Sequence, residues 1–114
     1  MKVTYYGHSC FGVELGGKQL LFDPFISPNE LAQSIDVNQV PADYILQTHG
    51  HVDHIADTLS IAQRTGATLV GVWEIHEWAQ RNGLTNTHPM NTGGKWEFDF
   101  GTVRVVPAVH SSSF

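Results

Sequence analysis

Between Thr48 and His54 the chain reads Thr-His-Gly-His-Val-Asp-His, and this stretch constrains the remainder more than any other. Three imidazoles and one carboxylate fall between His49 and His54, with Gly50 separating the first two. Imidazole and carboxylate donors together suit Zn²⁺, Mn²⁺ or iron, whereas thiolate ligation is excluded in a chain with one cysteine. Residues 42–48, Ala-Asp-Tyr-Ile-Leu-Gln-Thr, read as a buried strand, and residues 55–64 read as a helix. The ligands are therefore expected on a loop at the carboxyl end of a strand, where open α/β sheets place their sites. Gly50 gives the backbone the freedom to aim His49 and His51 at one ion. A lone histidine is ordinarily a surface or hydrogen-bonded core residue. Three of the chain's seven gathered here, irregularly spaced and internal, reflect neither composition nor a purification tag.

Length and charge bound the rest. A chain of 114 residues is expected to form one domain, and 41% hydrophobic residues suffice for a core. The charged fraction, 15%, is low for a fully solvated surface and suggests that part of it is covered. Net charge is −5, and six Lys and Arg residues are scattered along the chain, so no basic patch exists for nucleic acid. Cys10 has no partner for an internal disulfide, which fits a reducing cytoplasm. No apolar run approaches the ~20 residues of a membrane span. The first residues already alternate as a strand, so no signal peptide is expected. A soluble cytoplasmic protein is the resulting expectation.

Strands are expected over residues 2–6, 11–15 and 19–22, the last two joined by a Gly16-Gly17 hairpin. Asp23 precedes Pro24 and is held at a strand end. It is read first as a turn residue, with the alternative that it accepts a proton from a ligating imidazole. Ser27, Pro28 and Glu30 suggest a short helix to about Ile35, with Ser27 as its cap. Asp57 or Thr58 is expected to cap the helix after the motif, and Gly66 to end it. Residues 68–72 read as a strand parallel to 42–48, completing a βαβ unit. Residues 73–81 read as a helix stopped at Asn82-Gly83, and residues 96–100 and 103–108 as a final hairpin. The order predicts a mixed α/β domain spanning residues 1–114.

These motifs together resemble the metallo-β-lactamase superfamily. Thr48 to His54 matches its H-x-H-x-D-H pattern. Gly7-His8-Ser9-Cys10-Phe11, Phe22-Asp23-Pro24-Phe25, Ala42-Asp43-Tyr44-Ile45-Leu46 and Phe98-Asp99-Phe100-Gly101 resemble the bacterial metal-dependent hydrolases related to L-ascorbate-6-phosphate lactonase. The resemblance implies an αββα sandwich of two similar halves with two metals at one edge, of which this chain would be the amino-terminal half. It implies that His49, His51 and His110 hold one metal and that Asp53 and His54 serve the other. Two divalent metals, zinc first and manganese or iron as alternatives, would occupy the complete site. Asp53 would also orient the attacking water or take a proton from it. His8, at a strand end, would contact substrate or join the metal site, against a plain role as a loop histidine. The implied reaction is hydrolysis of a small lactone, ester or phosphoester substrate by metal-activated water.

The resemblance also implies a second half that would carry further ligands, which makes an inactive, self-associating half-domain the competing reading. Helices are expected on one face of the sheet, leaving the other apolar face uncovered. A homodimer through that face, or association with the carboxyl-terminal half, is the expected outcome. The remaining candidates read as structural. His76 is taken as a surface residue and His88 as a loop residue. Cys10 is taken as a small buried residue, and Trp73, Trp78 and Trp96 as core or interface. Ser111, Ser112 and Ser113 lack a base or elbow motif that would make one a nucleophile.

Overall fold

Alternating residues build the first sheet edge. In the computed structural model, which describes residues 1–111, strands β1 (Lys2–Gly7), β2 (Cys10–Leu15) and β3 (Lys18–Phe22) form an antiparallel meander. Ser112, Ser113 and Phe114, including two of the serines considered above, lie outside the described residues. Leu15 pairs directly with Lys18, so β2 and β3 are closed by two glycines with φ of 57° and 76°. Such left-handed pairs match the twist of the flanking strands. A Cβ on Gly16 would meet the Phe100 backbone at 3.0 Å, whereas one on Gly17 would meet nothing within 4 Å. Gly16→Ala is therefore expected to lower stability by about 1–3 kcal/mol, through left-handed strain and this contact. Gly17→Ala should cost less, and urea denaturation of the two variants checks the difference.

The remaining strands run parallel to β3. They are β4 (Tyr44–Leu46), β5 (Thr68–Gly71) and β6 (Thr87–Pro89), and the six form one mixed sheet in the order β1-β2-β3-β4-β5-β6. Helices α1 (Val52–Ile55) and α2 (Thr58–Thr65) connect β4 to β5, and α3 (Trp73–Arg81) connects β5 to β6. Register places Leu21, Ile45 and Leu69 side by side on one face. They are buried in one cluster with Ile61 and Ala62 of α2 and Ile75 and Ala79 of α3. Each fully buried aliphatic side chain contributes roughly 1.5–3 kcal/mol, so this layer holds the helices on the sheet. Among the described residues no helix is long and apolar enough to cross a membrane.

Three expectations are corrected. The helix after the motif is broken at Ala56 and Asp57 into α1 and α2. Asp57 occupies the residue before α2, yet its side chain makes no cap. Its carboxylate instead accepts from the backbone N–H groups of Ile26 and Ser27 and from the Ser27 hydroxyl, while its own N–H donates to the Pro24 carbonyl. A residue so committed to a neighbouring loop cannot also continue a helix. The same bond removes Ser27 as a helix cap. Only a single 3-10 turn, Glu30–Ala32, forms there, capped by Asn29.

The third correction concerns the sheet face opposite the helices. Strands β7 (Lys95–Phe98) and β8 (Gly101–Arg104) form a separate two-stranded ribbon. It lies on that face, with Phe98 and Phe100 ring centroids 5.5 and 4.7 Å from Tyr44. The Tyr44 hydroxyl donates to Asp99 at 2.9 Å. His88 sits in β6, not in a loop, and packs against Trp96 and Phe98 of the ribbon. The expected uncovered face is thus covered over β4 and β6. Over β1 and β2 it stays open, where Val3, Tyr5, Phe11 and Leu15 are 58%, 62%, 39% and 36% exposed.

Candidate metal centre

Strand direction gathers the site. Strands β1 and β3 both run antiparallel to β2, and β4 runs parallel to β3. Their carboxyl ends therefore share one sheet edge, and His8, Asp23 and His49 each follow one of them. His49 and His51 flank Gly50, and His51 keeps an extended backbone immediately before α1. Asp53 and His54 lie within α1, so half the motif is helical and only its first part is loop. His110 arrives from the irregular segment after β8, a strand that ends at Arg104, short of the expected residue 108.

Three donor groups form at this edge. In the first, His49 Nε2 and His110 Nε2 lie 3.1 and 3.2 Å from His51 Nδ1. The ring of His110 is 4.9 Å from those of both His49 and His51. The second group is His8, Asp53 and His54, and the third is Asp23, His49 and His54. Within each group the donor atoms all lie within 4.8 Å of one another, a spacing one cation can close. The nitrogen-rich donor sets fit zinc-like ions.

Hydrogen bonds below this layer fix which nitrogen each imidazole presents. Asp23 is 2% exposed and takes φ of 42°, so it is a turn residue as read. Its main task is the alternative one. Asp23 accepts from His54 Nδ1 at 2.8 Å, from the Thr48 N–H at 2.7 Å and from the Thr48 hydroxyl. A hydroxyl has one proton, and the carboxylate takes it. Thr48 Oγ1 must then accept from His49 Nδ1, 2.8 Å away. Both His49 and His54 consequently direct an unprotonated Nε2 outward, as metal ligation requires.

Two further side chains, Gln47 and Asp57, organise the site from below. Gln47, within the run read as a buried strand, is 5% exposed. Its amide nitrogen reaches Asp23 Oδ1, the His49 carbonyl and the His54 carbonyl, and its oxygen accepts from the Thr58 hydroxyl. Asp57 ties the loop carrying Phe25 to the start of α2. The only sequence signal at Gln47 is a polar residue inside a run read as buried strand, whereas Asp57 reads as a helix cap. Cys10 is fully buried, and burial pushes its thiol up to about 12, aided by Asp23 and Asp57 against a backbone hydrogen bond at Phe25. Such a thiol is inert. His76 bonds Thr87 and stacks near Trp73, apart from the donor groups.

Burial holds the His49 imidazole below its ordinary 6.5, reinforced by His54, His51 and His110 and opposed by Asp23. At Asp53 desolvation works against ionisation, but the charge of His54 and the hydrogen bond and charge of His8 outweigh it, lowering the carboxyl below 3.8. Both groups are thus ready for a cation near neutrality. For His49 the unfolded chain binds its proton at a higher pH than the folded one. Stability of the metal-free chain is therefore expected to be highest above 6.5 and to fall as pH drops toward the lowered His49 value. Asp53 adds a loss only in the acid range, below 3.8. Thermal denaturation of chelator-treated protein across the histidine range tests this, and His49→Gln should flatten the profile.

The chain is similar to known proteins. A "UPF0173 metal-dependent hydrolase" of Flavobacterium johnsoniae is 51% identical over 114 residues, covering 100% of this chain and 50% of the relative. The chain spans about half the length of the curated relatives it matches. The solved structure of Igni18, a metallo hydrolase from the archaeon Ignicoccus hospitalis, matches with a TM-score of 0.84 and 33% identity. That match covers 96% of this chain and 49% of Igni18. An isothiocyanate hydrolase from Delia radicum gut bacteria shares the fold at a TM-score of 0.66 and 17% identity, over 86% of this chain and 44% of that one. The Metallo-beta-lactamase superfamily profile matches residues 3–110, from the first strand to the last of the converging imidazoles, and the chain belongs to that superfamily.

Proposed function

We propose that this chain supplies the metal-gripping half of a hydrolase acting on a small lactone, ester or phosphoester. The observation that carries the reading is the approach of His110 to within 3.2 Å of His51, across 59 residues of sequence. Histidines so placed have no packing reason to converge. The family name metal-dependent hydrolase, shared by the relatives, supports the same assignment. The favoured ion is zinc, two per complete site, with manganese or iron as alternatives. Bound there, such an ion would polarise the substrate's carbonyl or phosphoryl oxygen and make water more acidic. Asp53, exposed beside that position and ionised, orients the attacking water or takes its proton. His49, His51 and His110 would hold one ion, while Asp53 and His54 would serve the second. A cytoplasmic setting suits the free Cys10.

A second reading rests on the open stripe of Val3, Tyr5, Phe11 and Leu15. Apolar surface of this kind marks an interface. It is proposed to pair with a second copy of the chain or with a carboxyl-terminal half. In the strict form of this reading the chain alone has no turnover.

The test is to assay the 114-residue chain alone and joined to the remaining half of a full-length relative. Lactone, ester and phosphoester substrates are offered, with metal content measured by mass spectrometry. Hydrolysis by the joined protein, lost on chelation and restored by zinc, is expected. A metal-loaded joined protein that cleaves none of the three bond types would sink the assignment.

A further inference from the structure

His8 opens the two-residue turn between β1 and β2, closed by the pairing of Gly7 with Cys10, a place where tight hairpins take positive φ. Its φ is 52°, in the left-handed region that a residue with a Cβ rarely adopts. Among the described residues its ring nitrogens meet the Asp53 carboxylate, whose Oδ2 lies 3.1 Å from His8 Nε2. Both side chains are substantially exposed, at 43% and 47%. An exposed ion pair contributes little to stability, and the turn itself would be served at least as well by glycine or asparagine.

We propose that His8 is itself a metal ligand, completing with Asp53 and His54 a second three-donor site built wholly from this chain. The claim rests on the metal-centre reading above and extends it to a residue from β1's end. Three observations carry it. The donor atoms of His8, Asp53 and His54 lie within 4.8 Å of one another. The His54 Nδ1 proton is engaged by Asp23, which leaves Nε2 free and 3.9 Å from Asp53 Oδ1. The His8 ring is fixed from both sides, by Phe25 at 5.6 Å and His54 at 5.3 Å, and its backbone carbonyl accepts from the Tyr5 hydroxyl at 3.0 Å. Two imidazole nitrogens and one carboxylate oxygen make a donor set suited to zinc, with room for a further ligand. Cation entry would replace the proton between His8 and Asp53 with the ion. The alternative role, contact with substrate, requires no such approach of Nε2 to the Asp53 carboxylate.

The experiment titrates Co²⁺ and Zn²⁺ into the chelator-stripped 114-residue chain, reading heat and the Co²⁺ absorption spectrum. His8→Asn, His8→Gly and His51→Ala are compared with the parent. Asparagine and glycine both tolerate the left-handed backbone, so thermal stability of the metal-free variants should be kept, and glycine should relieve strain. The parent is expected to bind two ions per chain. Both His8 variants should weaken the second event by more than about 10-fold and leave the first unchanged, a loss on the scale that even outer hydrogen-bond partners produce. Equal second-ion binding in parent and His8→Gly overturns the proposal. So does a parent that binds one ion, retained in His8→Gly and lost in His51→Ala, which leaves the first site standing. A parent that binds no ion overturns the metal-centre reading together with this one.

Discussion

His51→Ala is expected to abolish high-affinity metal binding, lowering affinity for the first ion by more than about 100-fold. Loss of an outer hydrogen-bond partner costs about 10–100-fold, and a direct ligand must exceed that. His51 is the central member of its group, since its Nδ1 faces both His49 Nε2 at 3.1 Å and His110 Nε2 at 3.2 Å. Removing it leaves two imidazoles with nothing between them. The fold should hardly notice. His51 precedes α1 without making a side-chain cap and lies outside the hydrophobic core. A stability change within about 0.5 kcal/mol is therefore expected for the metal-free protein. Competition against a chromophoric chelator measures the affinity, and urea denaturation measures the stability. Retention of parental affinity by the variant would remove the three-imidazole site from consideration.

Asp23→Ala should damage both fold and site. The carboxylate is buried and receives the Thr48 N–H, the Thr48 hydroxyl, the Gln47 amide and His54 Nδ1. Deleting it strands these donors in the interior and places alanine at φ of 42°. About 3–5 kcal/mol of destabilisation is expected, the scale for breaking a buried charged network. Asp23→Asn separates the two effects. Its carbonyl oxygen can still accept from Thr48 N–H, and asparagine tolerates the backbone, so the fold should survive. Its amide then faces His54 Nδ1–H or the Thr48 hydroxyl, donor against donor, and at least one imidazole loses its fixed tautomer. Metal affinity should fall about 10–100-fold with the fold intact. Asparagine at parental affinity would show that Asp23 serves the turn alone.

Local chemistry explains which parts of this structure were readable beforehand. The Gly16-Gly17 hairpin, β5 and α3 with its Asn82-Gly83 stop depend on neighbours in sequence, and each formed close to its expected bounds. Errors arose where a distant residue competed for a local group. Asp57 and Ser27 each carry a plausible helix cap, yet they bond one another across 30 residues and neither caps a helix. His88 reads as loop because Pro89 follows it, whereas pairing with β5 makes it strand and the ribbon's aromatics cover it. The ribbon's docking on Tyr44 could not be read from alternation, which gives a strand's two faces but not what lies on them.

The amino-acid order by itself brought four candidate donors together. His49, His51, Asp53 and His54 are so close along the chain that a few bond lengths keep their side chains within reach of each other. Tertiary structure alone decided which remote groups join them. His110 comes from 59 residues beyond His51, His8 from 45 before Asp53 and Asp23 from 31 before His54. Separation along a flexible chain sets no distance in space. Shared strand direction does, because it delivers the ends of β1, β3 and β4 to a single edge of the sheet.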